Sequence, residues 1–526
     1  MIPPAARPPS RSSPAFRAPR LRAIAAGAAL LLLAGATGCN NAKLRDAQAA
    51  YWSGNLAGAG AKIDAFVASD GEGGNRVIAY LEQGSIRRAQ GDYAASNESF
   101  AVVDAALTRI DNSPEVSLSG EALAAVTNLN TLPYRGYHYD RVMLNTFRAL
   151  NYLEMGERDA ARVELRRAYE RQREAVAANA ERLEKAEEEA KKSKNAGNYD
   201  ADRAQNDPGF QNNLDAQYAG LDRYAAYGDY VNPFTEWMQG VYYRGEAADG
   251  SDLEWSRKAF ERVLGMSPDN DYLRQDYDAA NRIAGGGPIE PTTYVIFATG
   301  TAPMRGEVRI DIPLFLVDGS VDYVGANFPK LVENPAYVRQ LQVRTDTGTY
   351  PTQLLADMDQ VVGREFKNEL PIVITKTLIA AGTKATIAYA LRKAAEENGG
   401  EGNDLATFVR IATTVYQAAV NRADLRTWAT LPKQFQIARL PTPGPSESNP
   451  RNNPYPGEPT AGGSGTINLV STGFPPVEVE LLPGRINVVY VRSINPSTPF
   501  LISQFSLGQG APSWQSTASA APGTSR

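Results

Sequence analysis

Hydrophobic residues recur at steps of three and four between Tyr139 and Arg173, where the periodic pattern of the chain is clearest. The apolar residues from Met143 to Leu153 lie on one face of a helix, and Gly156-Glu157 interrupts the pattern before a second stripe begins at Ala161. The pattern predicts two helices and a turn. Because such a pair cannot bury its apolar face alone, it also predicts stacked neighbours.

Three other stretches show the same arrangement of large, small and turn residues. In the clearest of them, Gly84, Gly91 and Phe100 fall where a tetratricopeptide (TPR) repeat of about 34 residues has its small, turn and aromatic positions. We therefore predict a TPR-like α-helical repeat array, with an irregular helical bundle as the alternative. The array would span residues 39–284, built on pairs at 42–66, 75–107, 139–173 and 232–270, with insertions at 111–138 and 174–231.

The second insertion begins as a long helix. No Gly or Pro occurs from Glu157 to Ala196, so the second helix of the 139–173 pair is predicted to continue as a rod of about 60 Å. Residues 180–194 mix charges of both signs at helical spacing, which is typical of a solvated helix and less often of a partner-binding coiled coil. Residues 197–231 are predicted to be a polar loop.

The hydrophobic period changes after Gly285-Gly286-Gly287-Pro288, where the helical half is predicted to end. Short apolar or alternating runs then predict strands, and stripes of helical period lie among them. The C-terminal half is thus predicted to be one mixed α+β domain over 290–507. The strands are expected at 294–297, 308–312, 341–343, 435–440, 467–470, 477–481 and 486–491, the last two as a hairpin through Pro483-Gly484, and the helices at 354–366, 374–391 and 405–420.

Two segments of the C-terminal half have compositions that do not form a core. Residues 441–465 are rich in Pro, Gly and Asn, and together with the tail 508–526 they are predicted to be disordered. The segment 374–391 is apolar, but Lys376 and Lys384 argue against a membrane span. A buried helix packed on a sheet is the preferred interpretation, and an interfacial membrane helix is the alternative.

Composition excludes several classes of function. The chain carries 54 basic and 59 acidic residues, and no basic stripe that would follow a nucleic acid occurs. It has one Cys, Cys39, and one His, His138, so an intrachain disulfide is impossible and a Cys/His zinc site or His-based triad is disfavoured. We therefore assign no catalytic, cofactor-binding or metal-binding residue.

Residues 1–38 have the form of a targeting segment. Five Arg and no acidic residue occur in it, and an apolar run from Ala23 to Ala36 is too short to span a membrane. Ala36-Thr37-Gly38-Cys39 resembles the lipobox of bacterial lipoproteins, which implies cleavage before Cys39 and its lipidation. Acyl chains there would hold the protein at a bilayer surface. An ordinary secretory signal is the alternative. By the same resemblance, Asn40 implies the outer membrane of a two-membrane cell, facing the periplasm.

Several short segments resemble a family of bacterial envelope lipoproteins. That family carries TPR-like helices followed by an α+β domain, and the resemblance implies no known activity and no catalytic residue. The segments that carry it are Tyr139 to Met143, Ala149 to Leu153, Ala161 to Arg167, Asp424 to Trp428, Leu431-Pro432 and Ala438 to Pro441.

One cluster of residues is a candidate for binding a partner. Tyr134, Arg135, Tyr137 and Tyr139 combine amphipathic rings with a guanidinium, as binding hot spots do. Aromatic packing over a helix end is the alternative. His138 is interpreted as a surface or capping residue. A second cluster, Asp424 to Trp428, is interpreted as a lock between the domains.

The function predicted from these features is a lipid-anchored, non-catalytic scaffold at the outer membrane. Other envelope proteins would bind its helical repeats, and Cys39 would attach it to the membrane. No nucleic acid is expected as a partner. Two alternatives are a carboxylate-dependent hydrolase of envelope glycan or peptidoglycan, and an accessory protein for polysaccharide binding or export.

Overall fold

The computed structural model describes residues 40–112, 133–195, 199–228, 230–315, 321–397, 423–443 and 465–508. Over these residues the protein is α+β, with a helical N-terminal half and a C-terminal half built on strands, as predicted. The targeting segment with Cys39, the predicted helix at 405–420, most of 441–465 and nearly all of the tail lie outside the described residues.

The helices of the N-terminal half pack mainly against their neighbours in the chain. Within the described residues they are α1 (Asn40–Trp52), α2 (Leu56–Asp70), α3 (Arg76–Ala89), α4 (Tyr93–Asn112), α5 (His138–Glu154), α6 (Arg158–Asn195), α7 (Ala201–Gln205), α8 (Pro208–Tyr218), a 3₁₀ helix (Ala219–Arg223), α9 (Pro233–Gly245), α10 (Gly250–Met266) and α11 (Asp271–Ala284).

Three of the helix pairs repeat one turn geometry. Gly54, Gly91 and Gly156 have φ angles of 78°, 81° and 78°, a region that glycine adopts without the strain of a Cβ atom. In each turn the glycine N–H donates to the carbonyl three residues back, and the next residue donates to the carbonyl five residues back. The turns therefore set the α1–α2, α3–α4 and α5–α6 pairs in the same way.

Two of the pairs also share one close contact. A Cβ atom placed on Gly84 of α3 would come within 2.3 Å of the Phe100 ring on α4. The Ser96 hydroxyl donates to the Gly84 carbonyl, so the small residue lets the helices approach and the serine joins them. The counterparts in the α9–α10 pair are Gly240, Phe260 and Ser256.

Three short helices occupy most of residues 201–223, which corrects the prediction of a polar loop. Asp200 and Asp207 cap α7 and α8 by accepting the N–H groups of Arg203 and Phe210, and Pro208 occupies the first turn of α8. Their few apolar residues, Phe210 among them, pack into a cluster with the C-terminal half. Tertiary packing therefore orders a segment of polar composition.

The rod is confirmed, because α6 runs for 38 residues. Its later part is not fully solvated, because one face of it is buried. Ala186, Ala190 and Ser193 are buried in this part, and the helix packs against α12 (Met358–Glu397), a 40-residue helix that continues through Pro371.

The strands form three sheets, each of which contains at least one strand that we did not predict. The described strands are β1 (Thr292–Thr299), β2 (Met304–Phe315), β3 (Val321–Val332), β4 (Gln342–Thr345), β5 (Gly348–Pro351), β6 (Gln353–Asp357), β7 (Gln434–Pro441), β8 (Thr466–Val470), β9 (Val477–Glu480), β10 (Ile486–Ser493) and β11 (Leu501–Leu507). Strands β3, β5, β6 and β11 are the unpredicted ones, and Leu354 belongs to β6 rather than to a helix.

The largest sheet has the strand order β11-β10-β1-β7-β6, and β1 and β10 are parallel. The other two are the β2–β3 hairpin and the sheet β5-β4-β8-β9. The predicted hairpin of the last two strand segments is wrong, because β9 and β10 belong to different sheets. The pairing of β10 with β1 joins residues almost two hundred positions apart and buries both strands completely.

The apolar segment 374–391 lies within α12, which packs on β2 and β3. This confirms the interpretation as a helix packed on a sheet. Across the ranges that the structure describes, no helix combines the length and apolarity needed to cross a membrane.

Candidate functional site

The predicted partner-binding residues lie at the start of α5, and three of the four are buried. Tyr134, Tyr137 and Tyr139 expose 3%, 7% and 3% of their surface, whereas Arg135 is exposed. The Tyr137 ring stacks on Tyr139 and meets Tyr134 edge to face. The prediction of a tyrosine surface must therefore be corrected, since the rings pack over a helix end, which was the alternative.

The first turn of α5 is capped by a carboxylate from the other half of the chain. The backbone N–H groups of His138 and Tyr139 donate to the two oxygens of Glu365 in α12, at 2.6 and 2.9 Å. A carboxylate at a helix N-terminus satisfies N–H groups that have no partner within the helix. Burial nevertheless raises the pKa of Glu365 to about 8, and the nearby carboxylates of Glu369 and Asp140 add to the rise.

His138 lies beside this cap with its ring edge to face against Tyr230. Burial, together with the guanidinium groups of Arg182 and Arg141, lowers the pKa of His138 to about 4. Its Nε2 atom is buried and has no hydrogen-bond partner. The imidazole is therefore neutral near pH 7.

A charged cleft of about 520 Å³ opens next to the cap, between α5, α6, α12 and β2. Seven basic and four acidic side chains are among the described residues that line it, in a chain with a net charge of −5. Most of these charges already face an opposite one. Arg182 and Arg305 both bind Glu369, at 3.0 and 2.8 Å, and outweigh burial to hold the pKa of Glu369 below its usual value.

The Asp424 to Trp428 cluster locks the two halves together, as predicted. Arg426 pairs with Asp424 and also donates to the Gly74 carbonyl and to Asn75, at the start of α3. The Trp428 ring lies fully buried between helices of the other half, with its indole N–H donating to Ser85 on α3.

The lock is part of a longer contact, because the first helix of each pair, and α11 after the last pair, contacts the large sheet or the segment before β7. We call α1, α3, α5, α9 and α11 the inner helices. Each of them contacts β7, β10, β11 or the segment before β7, through the pairs Tyr51–Arg492, Glu82–Thr430, Phe147–Trp428, Glu154–Ser503, Phe234–Phe435 and Asp276–Arg439. The inner face of the helical half is therefore covered by strands of the same chain.

The contact includes buried charges that only the two halves together can pair. Asp276 of α11 is fully buried and accepts hydrogen bonds from Trp237 and Arg244 of the helical half and from Tyr294 and Arg439 of the sheet. Removing the sheet would leave this carboxylate with fewer partners, which is costly for a buried charge.

We call α6 and α10, which pair with the inner helices α5 and α9, the outer helices. They carry an exposed group of aromatic and basic residues. Trp255 of α10 is 39% exposed, and its ring meets the Tyr169 ring of α6 edge to face at 5.4 Å. Arg173 and Arg262 lie 5.9 and 5.5 Å from the Tyr169 ring, within cation–π distance. We call these residues, together with Arg162, the Arg–aromatic surface.

A second cavity, of about 340 Å³, lies between α3, α5 and the β10–β11 edge of the large sheet. Two arginines line it, Arg88 and Arg492, and each is more than nine-tenths buried. We call this cavity the arginine chamber.

The sequence did not point to the Arg–aromatic surface or to the arginine chamber. One signal for this surface was present in the sequence, because Trp255 is a large ring outside the apolar stripe of α10. Arg88 and Arg492 gave no such signal, because they are far apart in the chain. Across the described residues, no group of three or more His, Cys, Asp or Glu side chains is arranged to hold a metal ion. Cys39, the predicted lipidation site, lies outside the described residues.

Comparison with known proteins identifies no family, so the function is inferred from this geometry. No protein-family model matches the chain, and no curated protein matches it either.

Proposed function

We propose that the protein is a non-catalytic scaffold, anchored to the outer membrane through lipidated Cys39, that binds another envelope protein on the outer side of its helical half. The helices would be TPR-like repeats, as the lipoprotein resemblance implies. The observation that carries the proposal is the Arg–aromatic surface, which presents an exposed tryptophan among arginines.

The position of this surface follows from the fold. A repeat array usually binds partners on its concave side, but here the inner helices are covered by the chain's own sheet. The outer helices α6 and α10 keep large side chains in contact with solvent. Exposed Trp, Tyr and Arg side chains are the types that dominate binding energy at protein interfaces.

The charge of the surface indicates the chemistry of the partner. Residues 158–173 contain six arginines and three acidic residues, and one of the acids, Glu164, is buried. Arg166 faces Glu170 at 3.8 Å but keeps 69% of its side-chain surface exposed. We therefore infer a partner with an acidic segment and an apolar side chain that covers Trp255, because complementary charge both selects and steers a partner.

The test compares crosslinked partners of the unmodified full-length protein and of three variants in the intact envelope. Trp255→Ala should lose a crosslinked species that the unmodified protein forms. Tyr323→Ala should keep it, because Tyr323 is an exposed aromatic ring on β3, outside this surface. Arg173→Glu should also lose it, and salt should weaken it in vitro. Recovery of the same species from all forms would refute the surface.

The hydrolase alternative receives less support from the geometry. It requires two carboxyl groups that face a substrate. Glu369 lines the charged cleft and lies one helical turn from Glu365, and the pKa values of these two carboxyl groups are shifted in opposite directions. However, Glu365 accepts two backbone N–H groups and Glu369 binds two arginines, so each has a structural partner.

The polysaccharide alternative would need a platform of exposed aromatic rings on the strands. Among the described residues of the C-terminal half, Tyr323 is the large aromatic side chain that is clearly exposed, and its hydroxyl donates to Asp207. One ring held by a neighbouring carboxylate does not form a platform. The protein-binding proposal is therefore the better supported.

A further inference from the structure

The arginine chamber has walls from both halves of the chain. The α3 and α5 helices contribute Arg88, Ala89 and Phe147, and the strands contribute Tyr490, Arg492 and Ile502. Its volume of about 340 Å³ is in the range of small-molecule sites, which often lie where two domains meet.

Positive charge in the chamber is poorly balanced. No Asp or Glu is present among the described residues that line it. The carboxylate closest to Arg88 is Glu154, whose Oε1 atom lies 4.0 Å from Nη2 of Arg88. Burial raises the pKa of Glu154, although Arg88 opposes the rise. Burying a cation costs free energy unless an anion pairs with it.

Arg88 also has unused hydrogen-bonding capacity. Its Nη1 atom donates to Asn151, but its Nε atom is buried and has no partner. By contrast, Arg492 donates to the backbone carbonyls of Ala298, Gly300 and Ser493, so it supplies charge rather than a vacant donor. Arg88 therefore has more donor capacity left for an anion than Arg492.

The rest of the chamber is suited to an apolar group. The rings of Tyr93, Phe147 and Tyr490 surround the Arg88 guanidinium at 5.5, 5.6 and 4.9 Å. Phe500 and Ile502 add aromatic and aliphatic surface. Burial raises the pKa of Tyr490, so its hydroxyl stays protonated and adds no negative charge.

We propose that the arginine chamber binds a small organic anion, with one carboxylate or phosphate group at Arg88 and an apolar body against the aromatic wall. The charged cleft is less suited to this role, because its arginines already face Glu369, Asp111 and Asp424. Ligand binding in the chamber is separate from partner binding at Trp255, so each proposal can fail without the other.

The test is calorimetric titration of the full-length mature protein with four probes. Benzoate or phenyl phosphate should bind with a Kd below about 1 mM. Benzyl alcohol, which lacks charge, and inorganic phosphate, which lacks an apolar body, should each bind at least about tenfold more weakly, because charge-assisted hydrogen bonds and apolar burial both contribute. Preference for benzoate over phenyl phosphate, or the reverse, identifies the anionic group.

Two variants locate the site. Arg88→Met should weaken binding of the preferred anion by at least about tenfold, since it removes the charged donor. Ala89→Phe should abolish binding by filling the chamber while leaving every charge in place, and it decides the question if Arg88→Met does not fold. Equal binding of benzyl alcohol and benzoate, no saturable binding of either anion, or unchanged binding by folded Ala89→Phe would overturn the proposal.

Discussion

Replacing Trp428 tests whether the two halves of the protein are one folding unit. The indole is fully buried and lies edge to face with Phe100 and Phe147, at ring distances of 5.8 and 5.7 Å. Its N–H group donates to the hydroxyls of Ser85 and Thr430, at 2.8 and 3.1 Å. A residue of the C-terminal half therefore fills the space between α3, α4 and α5.

The size of the effect follows from what each substitution removes. Trp428→Ala leaves a cavity the size of the indole and should lower the free energy of unfolding by about 3–5 kcal/mol. Trp428→Phe keeps most of the ring contact but removes the donor to Ser85, and should cost about 1–3 kcal/mol. Tyr323→Ala is the control, since an exposed ring should change stability by less than about 1 kcal/mol.

The assay is urea unfolding followed by circular dichroism, together with hydrogen exchange resolved by element. One transition is expected for each form. Amide protection should fall in α3 and β7 together in Trp428→Ala, because the inner helices and the sheet share one core. A separate transition in which the helical half keeps its original midpoint would refute the reasoning, and so would an Ala variant as stable as the control.

Four further predictions concern the helix cap, the histidine, the helix contacts and the anchor. The pKa of Glu365 in the folded protein, about 8, exceeds its ordinary value of 4.5, so the free energy of unfolding should fall as pH rises between these values. In urea titrations at several pH values, Glu365→Gln should show a shallower fall. Equal dependence on pH in the two proteins would contradict the raised pKa. The single His138 should titrate near pH 4 by NMR, and a midpoint near 6.5 would contradict its burial among cations. In thermal melts, Gly84→Ala should destabilise the protein by about 1–3 kcal/mol, because the added methyl group would overpack the contact with Phe100. Gly265→Ala should be neutral or stabilising, because the space at its Cβ position is open. Equal effects of the two substitutions would contradict the close contact at Gly84. Cys39→Ser should accumulate unprocessed protein without acyl label, and a labelled mature form would refute lipidation.

Local patterns predicted the elements whose residues bury one continuous stripe. The turn at Gly156, the rod after it and the strand at 294–297 are all set by neighbours in sequence, through glycine conformation and hydrophobic period. The helices at 201–218 were missed because their overall composition is polar. The Asp207-Pro208 start of α8 was a local signal for a helix, since Asp favours the N-cap and Pro the first turn.

Strand pairing was harder to predict from the sequence than the helices, because it depends on segments that are distant in the chain. Nothing near residue 486 specifies that β10 runs parallel to β1, and Pro483-Gly484 is as compatible with a hairpin as with a change of sheet. The same limit applies to the arginine chamber. Arg88 and Arg492 come together only because α3 packs against β10.

The helical stripes showed that one face of each pair is buried, but they did not show what covers it. The inner positions nevertheless contain polar residues that a free concave surface would not need to bury. Glu82 is fully buried and receives hydrogen bonds from Ala429 and Thr430, just before β7. Without these hydrogen bonds, burying such a carboxylate would cost free energy. Buried acids on the inner helices are therefore complementary to the sheet, and this is why we place the partner on the outer helices.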